Sequence, residues 1–222
     1  MYRGRQIRPP VPVDRRARHG DLPVQNAAET RRKRRCRDLR DELVSPQNFG
    51  DHRDLALQSI GDYGRQLTRA LAGLELEEAR WMPTPQSNHI LWILWHMGRM
   101  EDMWGWYLRG GGDSAWIEGG WADRMGIDPA RNGVGDSTEQ VRDFPDVSLQ
   151  EVTAYWQAAR DLLIPAVEKI TPDMLEIKRP DIWPRAPDRA PTLLWALGRI
   201  PVENSQHTGQ IAYIRGLYGA KF

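Results

Sequence analysis

Cysteine is nearly absent. Cys36 is the one thiol in 222 residues, so no internal disulfide framework is available, and such a chain fits a reducing compartment. No run of 18 apolar residues occurs, which argues against a membrane-spanning helix. The amino terminus opens MYRGRQIRPP and enters no apolar stretch, unlike a secretory signal. A cytoplasmic location is the expectation. No segment alternates apolar and polar residues over the length of a strand, so nothing competes with helix.

Net charge is also small, at +1, yet it is unevenly spread. Residues 1–50 hold 13 Lys/Arg against 6 Asp/Glu, net +7; the remainder holds 18 against 24, net −6. The first piece has Pro9, Pro10, Pro12 and Pro23, the basic run Arg31-Arg32-Lys33-Arg34-Arg35, and no sustained apolar period. Such a composition cannot bury enough apolar area to offset the entropy of ordering it, and it reads as a disordered basic tail. A nucleic-acid arm is the competing reading. It is disfavoured because no aromatic residue lies between Tyr2 and Phe49 to stack on bases.

Residues 51–222 have a different texture. Leu57, Ile60, Tyr63 (or Gly64), Leu67, Leu71 and Leu74 recur every three or four positions, which is one helix face. After Pro83 and Pro85, Ser87 or Asn88 is placed to cap a second helix, apolar nearly all round and so deep in the domain; Gly110-Gly111-Gly112 ends it. His89 at its start is expected to be exposed. A long connection over about 111–147 follows, with one short helix expected at Trp121–Met125. Ser148 and Glu151 read as a capping box for a third helix, with Leu149, Val152, Tyr155 or Trp156, Leu163 and Val167 facing inward. Residues 171–191 read as an extended crossover. A fourth helix over 192–217 has Leu193, Leu197, Ile200, His207, Ile211 and Ile214 on its inner face and Pro201 inside it. The fold class that follows is all-α, a four-helix bundle.

Two of the five histidines lie mid-helix on apolar faces, His96 and His207. Glu203, four residues before His207, projects from the same face one turn away. A carboxylate there is costly unless it is paired or binds a cation. A Glu–His hydrogen bond within the helix is the plain solution. Adding His96 from a facing helix makes a ligand set for a divalent metal with open positions, and zinc, nickel, manganese and ferrous iron all suit it. Glu101 lies on a nearby face as a candidate to orient His96 or a bound water, or to pair with Arg99, Arg109 or a tail arginine. The ten tryptophans read mostly as core, with some able to wall a pocket or to form a homodimer face.

The segments Asn88-His89-Ile90-Leu91-Trp92-Ile93-Leu94-Trp95-His96-Met97-Gly98-Arg99-Met100-Glu101-Asp102 and Val202-Glu203-Asn204-Ser205-Gln206-His207-Thr208-Gly209-Gln210-Ile211-Ala212-Tyr213-Ile214-Arg215-Gly216-Leu217 resemble the two signature stretches of the DinB/YfiT-like superfamily, unrelated to the translesion polymerase of similar name. The connection Gly120-Trp121-Ala122-Asp123-Arg124-Met125-Gly126 also resembles its subgroup of single-domain proteins. The resemblance covers residues of about 50–220 and implies an up-down-down-up bundle with a divalent metal near its middle. Much of the superfamily uses three histidines, one on the second helix and a His-x-x-x-His pair on the fourth. His96 matches the first and His207 the last, while Glu203 departs from the pattern. Characterised relatives include S-transferases and an isomerase that use bacillithiol or mycothiol, a metal there holding the thiol as thiolate.

The function this implies is a metal-dependent thiol S-transferase or isomerase-like enzyme acting on a small molecule. The alternative is a non-catalytic, stress-associated metal-binding or dimeric interaction protein. Neither a membrane nor a nucleic acid is an expected partner, and a homodimer is.

Overall fold

The computed structural model describes residues 50–183 and 186–219. The basic-tail reading of residues 1–49 therefore lies outside the described residues. Eight helices occur among those described: α1 (His52–Leu71), α2 (Leu76–Arg80), α3 (Ile90–Arg109), α4 (Ala115–Glu118), α5 (Trp121–Met125), α6 (Thr138–Arg142), α7 (Leu149–Glu168) and α8 (Leu193–Tyr218). None is long and apolar enough to cross a membrane.

Local chemistry sets the ends of the long helices. The Asp51 carboxylate accepts from the backbone N–H groups of Arg53 and Asp54 to start α1, Ser148 accepts from Glu151 N to start α7, and Thr192 accepts from Trp195 N to start α8. Glu151 leaves its half of the expected capping box and accepts instead from Arg124 Nε at 3.0 Å. The start of α3 corrects the expected cap. Neither Ser87 nor Asn88 serves; His89 does, its Nδ1 accepting from Trp92 N at 3.1 Å. His89 is buried, not exposed, because its Nε2 also donates to the Val141 carbonyl at 3.0 Å and so ties α3 to α6. At the other end Gly110 caps α3 with φ +86, a conformation natural to glycine.

Helix directions follow from which residues meet. A Cβ at Gly98 would lie 2.9 Å from Tyr155 Cε1, and one at Gly105 would lie 3.2 Å from Leu163 Cα. Both α3 and α7 thus advance together, and they are parallel, with glycine one heptad apart permitting the close approach. Ala56 and Ile60 pack with Leu193 and Leu197 at one end, while Arg215 reaches the Ala70 carbonyl at 2.7 Å at the other. Helices α1 and α8 are parallel too. His96 meets His207 and Trp104 meets Trp195, so α3 and α8 are antiparallel. The bundle is up-down-down-up.

Two parallel neighbours require a long crossover, and residues 110–148 supply it. The helix expected at Trp121–Met125 forms, flanked by α4 and α6. Asp102 pins this segment, accepting from Ala115 N and Trp116 N at 2.8 Å each. Trp116 is buried against Trp95 and Tyr155 and donates from Nε1 to the Pro129 carbonyl. Arg99 then donates from Nε to the Arg131 carbonyl at 3.1 Å. The loop around 128–136 is thereby drawn down onto α3 beside His96. The crossover expected as extended over 171–191 contains three 3-10 turns and a bridge between Lys178 and Thr192.

Candidate metal centre

His96 on α3 and Glu203 and His207 on α8 are brought together. Their ligand atoms all lie within 4.8 Å of one another, and His96 Nε2 is 3.7 Å from Glu203 Oε1. Ordinary zinc–ligand bonds of about 2.1 Å space neighbouring donors by roughly 3.4 Å, so small side-chain rotations close the set. No fourth His, Cys, Asp or Glu among the described residues joins it.

Both imidazoles are held in the tautomer a metal needs. His96 Nδ1 lies 2.6 Å from the Asn132 carbonyl oxygen, which can only accept, so Nδ1 carries a proton and Nε2 is the atom left to face the gap and take a cation. His207 Nδ1 donates in the same way to Gln210 Oε1 at 3.0 Å. An outer acceptor fixing each ligand ring is the usual arrangement around a bound cation. Trp92 stacks on His96 with ring centroids 5.1 Å apart and planes 7° from parallel, and its Nε1 donates to Asp136. Burial works against the charged form of Asp136, but hydrogen bonds from Arg131 and Trp92 outweigh it and hold the carboxyl below its ordinary range. Gly133 has φ +88, and a Cβ there would lie 2.6 Å from His96 Nδ1. The loop can lie flat on the ring only with glycine at this position.

Electrostatics favour ligand-ready forms. The Glu203 carboxyl stays below its ordinary range chiefly through donation from the His96 ring, which outweighs the cost of burial and to which Arg199 adds; a bound cation would stand in place of that donated proton. Burial pushes the His207 imidazole down and toward neutrality, against the hydrogen bond to Gln210. Arg199 Nη2 occupies Glu203 Oε2 at 3.0 Å, leaving Oε1 turned to the histidines. The donor set, the tautomers and the charge state all fit a divalent cation.

Glu101 sits elsewhere. Its fully buried carboxylate accepts through Oε1 from Tyr63 Oη at 3.0 Å, Trp156 Nε1 at 2.7 Å and Arg160 Nη1 at 3.3 Å, a cross-bundle polar knot. Burial pushes this carboxyl up to about 7 despite Arg160. Its cation is Arg160, where the sequence pointed to Arg99, Arg109 or the tail. Tryptophans also gather away from the histidines. Trp104, Trp183 and Trp195 pack together, and a cleft of about 380 Å³ opens beside Trp183 and Trp195. Trp195 precedes Glu203 by eight residues, roughly 12 Å along the helix. Asn132 and Gly133 carried no sequence signal, whereas Arg199, four residues before Glu203, and Gln210, three after His207, were open to being read as partners from spacing alone.

The DinB superfamily model matches residues 62–211. Among solved structures, the chain is similar to a conserved protein from Enterococcus faecalis, with 21% identity and a TM-score of 0.62 over 73% of this chain and 94% of that one. At that identity the likeness speaks for the fold alone. No curated protein matches the sequence.

Proposed function

This chain belongs to the DinB superfamily, and we propose that it is a divalent-metal-dependent enzyme joining a low-molecular-weight thiol, of the mycothiol or bacillithiol kind, to a small electrophile. One observation carries the reading: two imidazoles and one carboxylate converge without a fourth protein ligand among the described residues. Three protein ligands with a vacant position is the pattern of catalytic zinc, whereas structural zinc sites are closed by four.

The chain's own residues have definite tasks. His96, Glu203 and His207 would hold the cation. Asn132 and Gln210 keep the protons on the two Nδ1 atoms, and His96, with Arg199 adding to it, keeps Glu203 ionised. Trp92 covers one face of His96 and excludes water from it. A divalent cation held there, zinc above all, with nickel, manganese or iron also suited, supplies Lewis-acid chemistry that makes a thiol acidic enough to be a nucleophile at neutral pH.

The contact of Arg199 with Glu203 favours a second reading, because it satisfies the carboxylate with no metal present. On that reading the protein is a non-catalytic interaction or stress-associated protein of the same fold. Elemental analysis of the purified chain beside His207→Ala separates the two. About one equivalent in the wild type and a small fraction of it in the variant is expected; the same substoichiometric metal in both would overturn the proposal. Cobalt-substituted protein should then develop a thiolate charge-transfer band on addition of bacillithiol or mycothiol, and no band with either would remove the thiol from the proposal.

A further inference from the structure

Helix α8 is apolar on its outside as well as its inside. Not one of its exposed positions carries a charge, although Trp195, Val202, Tyr213 and Leu217 are each about half or more exposed. A solvent-facing helix normally carries its charges there. The face also holds Gly198, Gly209 and Gly216, where an added Cβ would meet nothing within 4 Å. Glycine is the least favourable helix residue after proline, and nothing within the described residues needs the space.

The order of large and small residues explains both features. About a point between Ser205 and Gln206 the helix is complementary under reversal, a large residue on one side answering a glycine on the other. Trp195 mirrors Gly216, Tyr213 mirrors Gly198, Val202 mirrors Gly209, and Leu194 mirrors Leu217. At 100° per residue the three large residues and the three glycines fall within a stripe about 60° wide, with Leu194 and Leu217 on its two edges. Two copies laid antiparallel with a twofold axis at Ser205 and Gln206 would therefore bring Trp195, Val202 and Tyr213 of one helix level with the glycines of the other. A twofold interface must be self-complementary in this sense.

We infer that the outer face of α8 is the contact surface for a second copy of this chain, packed antiparallel about Ser205 and Gln206. Charge agrees with the choice of partner. The cations at the flanks are already matched within the chain, Arg199 by Glu203 and Arg215 by Glu78, so the face brings no unpaired charge to a copy of itself. One helix per copy falls below the roughly 20–30 residues a side of a standard interface. The dimer is thus reversible and concentration-dependent. Gln210, which holds His207, lies on the same exposed side, so assembly narrows the approach to the triad.

Sedimentation of the full chain from about 1 to 500 µM tests the inference by mass action. The wild type should pass from monomer to dimer in that range, and Tyr213→Glu should remain monomeric with an unchanged circular dichroism spectrum. Gly198→Ala with Gly216→Ala gives an independent readout. In a lone chain the methyls meet open space and favour helix, so Tm rises at the dilute end; in the dimer they meet the partner's Tyr213 and the partner's Trp195, so Kd rises at least tenfold. The register is read in a Cys36→Ser background, where Ser205→Cys should cross-link to its twin under mild oxidation while Ile117→Cys does not. A wild type monomeric throughout, a dimer indifferent to Tyr213→Glu and to the alanines, or equal cross-linking from Ser205→Cys and Ile117→Cys would each overturn it.

Discussion

His96 Nδ1 and the carbonyl oxygen of Asn132 lie 2.6 Å apart across 36 residues of sequence. A backbone group of a crossover loop therefore decides which nitrogen of a candidate metal ligand bears the proton. That loop lies close enough to do so because Gly133 has no side chain.

Gly133→Ala should break this arrangement. The new methyl would meet His96 Nδ1 at 2.6 Å and Trp92 Cζ2 at 3.0 Å, at a φ of +88. We expect a loss of about 1–3 kcal/mol in urea unfolding from the backbone strain. Metal affinity should fall about tenfold as the ring loses its acceptor, measured by competition with a chromophoric chelator. Wild-type values in both assays would show that the loop does not orient His96.

The acceptor on the other ring is separable from the fold. Gln210 is exposed, so Gln210→Ala should leave stability nearly unchanged while weakening zinc binding roughly 10- to 100-fold. Gln210→Glu, which keeps an oxygen to accept from His207 Nδ1, should recover most of the loss. Equal affinities for all three proteins would mean that the contact plays no part in holding metal.

Arg199 competes with a cation for Glu203. Removing it in Arg199→Ala should tighten zinc binding about fivefold at low salt, near 1 kcal/mol for a partly exposed pair. The gain should shrink above about 0.5 M salt as screening takes over. A weakened site at low salt would instead make Arg199 a necessary positioner of the carboxylate.

His89 predicts a pH dependence of stability. Burial lowers its pKa from 6.5 to about 4, because the charged ring can neither accept from Trp92 N nor stay hydrated. A lowered folded pKa means that the contribution is fully present above 6.5 and is lost as pH falls through 6.5 toward 4. The integrated effect is about 3 kcal/mol. His89→Asn, which can still cap a helix but does not titrate, should be less stable at pH 7 and show a flatter slope between pH 6.5 and 4. Identical slopes in urea titrations of the two proteins would refute the assignment.

Glu101 is expected to matter for the fold and not for metal. Glu101→Ala strands Arg160, Trp156 Nε1 and Tyr63 Oη in the interior and should cost about 3–5 kcal/mol. Metal content per folded molecule should stay at the wild-type level by elemental analysis. Metal lost from protein that remains folded would tie the two polar groups together.

The bundle was largely legible in the sequence. Apolar spacing located α1, α3, α7 and α8 to within a few residues, and the short helix at Trp121–Met125 was read as it stands. His96, Glu203 and His207 were legible for the same reason: polar groups on apolar helix faces stand out against a regular period, and four-residue spacing alone puts Glu203 and His207 side by side. The cap of α3 was not legible, because histidine is an unusual cap and only the Val141 carbonyl, 52 residues away, accounts for its burial.

What the sequence by itself determined is local: periodicity, caps and the one-turn spacing on α8 depend on neighbours a few positions apart. Only the tertiary structure decided what faces His96, which cation meets Glu101 and where the tryptophans gather. Those outcomes depend on contacts between residues tens of positions apart, such as Asn132 with His96 or Arg160 with Glu101. No periodicity records them, because a repeat along one segment says which face is buried and not which residue of a distant segment meets it.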